Sequence, residues 1–191
     1  MSTNVMIVGV GGQGTLLASR VLGHVLTAQG YDVKVSEVHG MSQRGGSVVT
    51  YVKYGDRVDS PVVELGEADV ILAFERLEAA RALPYLRQNG SLLVNDREID
   101  PMPVITGAAA YPEGILDNLR AAGAKVLAID ALSLANEAGS SKAVNVVLLG
   151  LLSRHLPFGE EVWQKSLEEV VPPKFLGLNR RAFALGRAAV E

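Results

Sequence analysis

Gly9, Gly11 and Gly14 stand at the spacing G-x-G-x-x-G, directly after the apolar run Val5-Met6-Ile7-Val8 and directly before Thr15-Leu16-Leu17. The chemistry open to such a loop is anion binding. Glycines there allow a tight turn, close approach of a phosphate to backbone N–H groups, and close packing of helix on strand. A helix starting near Thr15 adds the positive end of its dipole and a set of unpaired N–H groups. Gly12 and Gln13, inside the motif, add further hydrogen-bonding capacity. The same spacing also serves a plain strand-to-helix turn, so the motif alone does not assign a ligand.

A second stretch, His39-Gly40-Met41-Ser42-Gln43-Arg44-Gly45-Gly46-Ser47, is polar, flanked by glycines and carries one fixed cation. Arg44 suits bidentate recognition of a carboxylate or phosphate, and Gly45-Gly46 suits a backbone nest for negative charge. Ligands of open α/β sheets lie beyond the carboxyl ends of the strands. The two loops are therefore expected to share one binding site, built from Gly9, Gly11, Gly12, Gln13, Gly14, Ser42, Gln43, Arg44, Gly45 and Gly46. A self-sufficient dinucleotide site is an alternative, with Glu37, after Val33-Lys34-Val35-Ser36, as the acid that holds a ribose.

Three segments together resemble a known family: Gly9 to Gly14, Glu37-Val38-His39-Gly40-Met41-Ser42-Gln43-Arg44-Gly45-Gly46, and Val171-Pro172-Pro173-Lys174-Phe175-Leu176-Gly177-Leu178-Asn179. They look like the beta subunit of indolepyruvate:ferredoxin oxidoreductases and, more broadly, the gamma subunit or domain of 2-oxoacid:ferredoxin oxidoreductases. The resemblance implies a complex in which a 2-oxoacid is oxidatively decarboxylated, ferredoxin is reduced and coenzyme A takes the acyl group. It also implies that thiamine diphosphate, its magnesium ion and the iron–sulfur clusters sit on a larger partner subunit; the anion expected at the shared site is then a group of coenzyme A, of a cofactor or of the substrate. An isolated chain of this kind would be inactive. A purely architectural subunit is the third reading.

Composition fits that division of labour. The chain has no cysteine, and iron–sulfur clusters are held mainly by cysteine thiolates. Disulfides and thiol catalysis are excluded with them. A formal net charge of −3 over 191 residues gives no basic excess for a nucleic-acid surface. The longest apolar stretch, Ala143 to Leu152, is short of the roughly 20 residues of a membrane span, and no export signal is visible. The expectation is a cytoplasmic protein with one domain over residues 1–191.

The elements that must hold these loops read as alternating strands and helices. Strands are expected at Val5 to Val10, Tyr31 to Ser36, Val48 to Tyr54, Ala68 to Phe74, Ser91 to Asn95, Val104 to Thr106 and Lys125 to Asp130, the third of them at an edge. Helices are expected from Thr15, over Arg76 to Gln88, and from Pro112 to about Ala122. After Asp130 the strand signal stops, and helices are expected at Ala131 to Ala138, Lys142 to Leu156, Glu160 to Val170 and Lys174 to Val190. The fold class is α/β: a Rossmann-like three-layer sandwich with a mostly parallel sheet and a helical C-terminal third.

Other candidates carry less. Asp130, Asn136, Glu137 and Asn145 are oxygen donors, but helix caps use the same side chains, and no metal is assigned. His24 and His155 read as structural, His155 near a helix end where an imidazolium suits the dipole. His39 lies in the polar loop without a recognisable nucleophile. Phe175 and Leu176 either anchor a partner interface or belong to a proline-led helix that buries Phe175 and Leu178.

Overall fold

The computed structural model describes residues 2–39 and 45–189. Six strands form one sheet: β1 (Ser2–Val10), β2 (Asp32–His39), β3 (Ser47–Gly55), β4 (Ala68–Ala73), β5 (Leu86–Asn95) and β6 (Lys125–Ile129). Their spatial order is β2-β3-β1-β4-β5-β6. The pairs β1–β4, β4–β5 and β5–β6 are parallel, while β3 runs antiparallel to both β1 and β2.

Alternation along β1 builds the layers. Val5 and Ile7 enter one core, and Met6 and Val8 enter the other, because successive strand side chains point to opposite faces. The first core lies under α1 (Thr15–Ala28), α5 (Ala131–Ala138), α6 (Val144–Leu152), α7 (Glu160–Val170) and α8 (Pro173–Ala188). The second lies under α2 (Arg76–Ala82) and α4 (Ile115–Ala121). A short helix, α3 (Met102–Ile105), falls within the connection from β5 to α4.

The C-terminal helices form a layer two deep. Along α6 every residue from Asn145 to Leu152 is buried, as expected of a helix that is apolar all round. Gly150 of α6 and Gly186 of α8 permit this. A Cβ on Gly150 would collide with the Phe183 carbonyl, and one on Gly186 with the Val147 carbonyl.

Four sequence expectations need correction. β3 is interior, because it returns antiparallel between β1 and β2. β5 starts at Leu86: the helix after β4 stops at Ala82 and one 3-10 turn follows at Leu83–Tyr85, so residues 86–88, expected at the helix end, are strand, and Asn89, at φ +66°, lies inside β5. Val104-Ile105-Thr106 is not a strand. Pro101 and the proline at the start of α3 set up a helical turn instead, since a proline's missing N–H is harmless in a first turn. The helix expected from Lys142 begins as a 3-10 turn at Ser141–Ala143 and ends as α6 at Leu152. The β-branched and leucine-rich runs at β1, β4 and β6 form strands as read, and α5 and α7 match the expected spans.

Candidate functional site

The chain leaves β1 to one side for β2 and β3, then crosses to the other side for β4. The carboxyl ends of β1 and β4 thus flank the switch in strand order, where open α/β sheets place ligands. β3 runs antiparallel, so its amino end, with Gly45 and Gly46 just before it, comes to this same rim.

The glycine loop is held by its own side chain. Gln13 Oε1 accepts from the Val10 N–H at 2.7 Å, Gln13 Nε2 donates to the Phe74 carbonyl at 3.0 Å, and the Gln13 N–H donates to the Val10 carbonyl at 3.2 Å. Gly9 makes room for this latch, because a Cβ there would stand 2.8 Å from Gln13 Oε1 and 3.0 Å from Phe74 Cβ. Gln13 spends its amide on the loop, so its side chain shapes the site rather than reaching outward.

The other glycines divide the work. Gly11 donates its N–H to the Gly46 carbonyl at 2.9 Å, joining the two glycine stretches directly. Gly45 takes φ +77°, Gly12 φ +99° and Gly14 φ +83°, all in the region glycine tolerates best. Gly14 caps α1 without a side-chain hydrogen bond, and a Cβ on it would meet Asn145 Nδ2 at 2.6 Å. Gly12 has open space where a Cβ would be. The N–H groups of Gly12, Gly14, Thr15, Leu16 and Leu17 make no hydrogen bond to any described residue, which leaves them for an anion.

Two clefts open on either side of this loop, and Gly12 and Gly14 line both. One, of about 440 Å³, is bounded by Gly11, Thr15, Leu16, Glu37, His39 and Val48. The other, of about 480 Å³, is bounded by Asn95, Arg97, Ile99, Leu132, Ser141 and Lys142. Ser42, Gln43 and Arg44 lie outside the described residues. His39 and Glu37 reach the first cleft, and Thr50 Oγ1 donates to Glu37 Oε2 at 3.2 Å. β3 separates β2 from β1, so Glu37 stands two strand spacings from the glycine strand, roughly 10 Å. A dinucleotide site wants its acid one strand away.

Reading the sequence missed the second cleft. Asn95 is fully buried; its Nδ2 donates to the Phe74 carbonyl at 3.1 Å and its Oδ1 accepts from the Ala131 N–H at 3.1 Å. Arg97 belongs to a polar connection and Lys142 to a helix start, and neither position signals a ligand in sequence. Behind the cleft, the buried Glu75 carboxylate caps α2 by accepting from the Glu78 N–H at 2.9 Å. It also accepts from the Ile99 N–H at 3.3 Å and from the Tyr111 hydroxyl. Burial first, and then Glu75, push the Tyr111 phenol well above its usual range, so it stays a donor.

The remaining candidates have structural places. Asp130 caps α5, accepting from the Ser133 N–H at 3.0 Å. Ser133 holds its carboxyl below the usual range. His24 Nδ1 lies 2.9 Å from Ser166 Oγ, which donates to the Val162 carbonyl at 2.8 Å, so Nδ1 carries the proton. Burial, and then Arg154, lower the His155 pKa; the imidazolium expected at that helix end is disfavoured. Phe175 is 47% exposed with Lys174 over its ring, whereas Leu176 and Leu178 pack on the core. Among the described residues no group of three or more His, Cys, Asp or Glu is placed to hold a metal, and no helix is long and apolar enough to cross a membrane.

Comparison with known proteins gives a consistent result. The family described as pyruvate ferredoxin/flavodoxin oxidoreductase matches residues 4–189. The indolepyruvate oxidoreductase subunit IorB of Thermococcus kodakarensis is 45% identical over 98% of this chain and 96% of its own length. Among solved structures, a keto/oxoacid ferredoxin oxidoreductase gamma subunit from Geobacter sulfurreducens shares the fold with a TM-score of 0.72, 24% identity, and coverage of 96% of this chain and 95% of that one. The same fold recurs as part of the 2-oxoglutarate:ferredoxin oxidoreductase from Magnetococcus marinus, with a TM-score of 0.70, 17% identity, and coverage of 98% of this chain and 31% of that one.

Proposed function

Since this chain belongs to the pyruvate ferredoxin/flavodoxin oxidoreductase family and is a subunit of a 2-oxoacid:ferredoxin oxidoreductase, we propose that it completes an enzyme for indolepyruvate or another aryl pyruvate by presenting its glycine-loop rim to a larger subunit. On this reading the larger subunit carries thiamine diphosphate, magnesium and the iron–sulfur clusters, and the complex works in the cytoplasm. Thiamine diphosphate supplies the carbanion chemistry of decarboxylation, and this chain supplies a binding surface for coenzyme A.

The observation that carries the proposal is the placement of unpaired loop amides between two clefts on one rim. Gly12 and the first turn of α1 offer N–H donors to an anionic group, and Gln13 keeps their geometry fixed. Ser42, Gln43 and Arg44, which lie in sequence between His39 and Gly45, are on this reading further donors to the same anion. Leu16 lines the first cleft, Val35 stands on the same face of β2 as Glu37 and His39, and both are about half exposed, an apolar margin suited to a partner. Substrate selection then falls to the larger subunit, because this chain is only 5% aromatic. The Magnetococcus marinus enzyme, which contains this fold, is described with coenzyme A bound.

The test is reconstitution of the complex without oxygen, with Arg44→Ala or Gly12→Val in this chain. Slower ferredoxin reduction in a complex that still assembles supports the reading, and a higher KM for coenzyme A names the ligand. Parent-like turnover in both variants overturns it and leaves an architectural subunit. The dinucleotide alternative predicts saturable binding of NAD(H), NADP(H) or a flavin by the isolated chain, and the interposed β3 argues against it.

A further inference from the structure

We propose that residues 99–111, which lie between β5 and α4, are a docking strap for the larger subunit, aimed by the Glu75 carboxylate and presenting Met102 and Ile105. The inference rests on the reading that the glycine-loop rim meets that subunit, and it adds a contact segment and the residue that positions it.

The composition of the strap is at odds with its exposure. From Asp100 to Ala110 the only charged residue is Asp100 itself, yet none of these residues is buried and none joins either core. Met102 and Ile105 are 62% and 65% exposed, and their spacing on α3 puts them on one face. Contiguous exposed apolar surface marks an interaction site, and methionine adapts well to a partner. Pro101 and Pro103 fix the backbone on either side of Met102, which lowers the ordering cost of binding.

One carboxylate oxygen holds both feet of the strap. Glu75 follows directly on the end of β4 and is 1% exposed. Its Oε1 accepts from the Ile99 N–H at 3.3 Å and from the Tyr111 hydroxyl. Its Oε2 caps α2 by accepting from the Glu78 N–H at 2.9 Å. A carboxyl buried this deeply needs its oxygens satisfied, so the strap and the helix are fastened at one point. Between the feet, the strap hydrogen-bonds only to itself among the described residues. The Ile105 N–H donates to the Pro101 carbonyl at 3.1 Å, and the Ala109 N–H to the Pro103 carbonyl at 3.0 Å. The strap is an arch with its base fixed at the rim.

Place and chemistry name the occupant. Ile99, at the first foot, lines the cleft that Gly12, Gln13 and Gly14 close on one side, so a protein seated on the rim reaches the strap over continuous surface. With one carboxylate and no cation, the strap offers nothing to a nucleic acid or a free anion, and its apolar face calls for a protein groove. In the Magnetococcus marinus enzyme this fold matches 31% of a longer chain, so further polypeptide is covalently at hand there. A separate larger subunit has to be gripped through exposed surface instead.

The absence of cysteine from the chain makes one introduced thiol a unique handle. Met102→Cys, Leu16→Cys and Gln88→Cys, the last an exposed position at the opposite end of β5, are each labelled with a photo-crosslinking maleimide and mixed with the larger subunit without oxygen. Irradiation should join the two subunits from position 102 and not from position 88. Binding of the larger subunit is then titrated with unlabelled variants. Met102→Glu with Ile105→Lys, which sets each charge at the favourable end of α3, should keep Tm within about 2 °C and weaken binding about tenfold or more. Tyr111→Phe leaves Met102 and Ile105 untouched and removes one donor from Glu75. It should lower Tm by about 2–4 °C and weaken binding about threefold or more.

No crosslink from position 102 in a complex that co-purifies, or one only between copies of this chain, overturns the strap. Parent-like affinity of Tyr111→Phe overturns the role of Glu75 in aiming it. If position 16 crosslinks where position 102 does not, the rim reading stands without the strap. If neither does, both fail.

Discussion

The side-chain amides of Gln13 and Asn95 converge on one acceptor, the Phe74 carbonyl, at 3.0 and 3.1 Å. Gln13 comes from the loop after β1 and Asn95 from the end of β5, so three strand ends are fastened at a single oxygen. Asn95 continues the chain of contacts to α5 through the Ala131 N–H. Asn95→Ala should therefore cost about 2–3 kcal/mol, since it leaves a buried donor without its acceptor. Urea unfolding of the isolated chain measures that loss, and a raised KM for coenzyme A would show that the rim has loosened.

Gly186→Ala and Gly177→Ala, on the same helix, should change stability in opposite directions. At Gly186 the new methyl meets the Val147 backbone, which cannot swing away, and the forced separation of α6 from α8 should cost about 3 kcal/mol or more. At Gly177 the methyl meets nothing within 4 Å, and better helix propensity should add about 0.5–1 kcal/mol. Thermal melts of the two variants decide it.

Asp130 links stability to pH through its cap on α5. Its carboxyl pKa is lowered in the folded chain by the hydroxyl and N–H of Ser133. The sign follows directly: the contribution is fully present above the unfolded value and is lost as pH falls through the lower folded one. Asp130→Ala should cost about 1 kcal/mol at neutral pH. Asp130→Asn should keep most of the cap and flatten the fall in stability below about pH 4. Denaturant midpoints across that range distinguish the two substitutions.

If the rim meets the larger subunit, charge placed on its apolar margin should loosen the complex without unfolding this chain. Leu16→Glu and Val35→Glu change half-exposed positions, so stability should move by no more than about 0.5 kcal/mol. Co-purification of the two subunits should fall by about tenfold or more for the pair of substitutions, because a carboxylate would be desolvated at the junction. Undiminished assembly would place the contact elsewhere.

Much of this arrangement was legible in the sequence because burial on both sides of a strand leaves an unbroken apolar run, as at Val5 to Val8 and Ala68 to Ala73. The place of β3 was not, because alternation states that a strand has two faces and says nothing about which strands flank it. Asn89 and Gly90 follow directly on the helix expected to end at Gln88, yet they sit within β5, where a Gly90 side chain would crowd the Ala68 carbonyl. In the site, the loop marked by the glycine spacing lies at the switch in strand order, and its glycines serve partly different purposes from those the motif suggests. Gly9 accommodates Gln13 and Gly14 accommodates Asn145, while Gly12, outside the three-glycine pattern, faces both clefts. Arg97 and Lys142 were invisible because what brings them to one cleft beside the glycine loop is the fold rather than their sequence neighbours.

The interior position of β1 bears on how the chain is made. β1 precedes both of its neighbours, β3 and β4, in the order of synthesis, yet it ends as a central strand between them. A ribosome adds about 5–20 residues per second, so Val5-Met6-Ile7-Val8 waits some seconds for residues 47–55 and longer for residues 70–73. During that interval it is a bare apolar strand with two unsatisfied edges, the state most open to adhesion between nascent chains. The antiparallel return of β3 shortens the wait. It gives β1 a hydrogen-bonded neighbour before β4 has been translated, so that the strand bearing the glycine loop is sheltered on one side first.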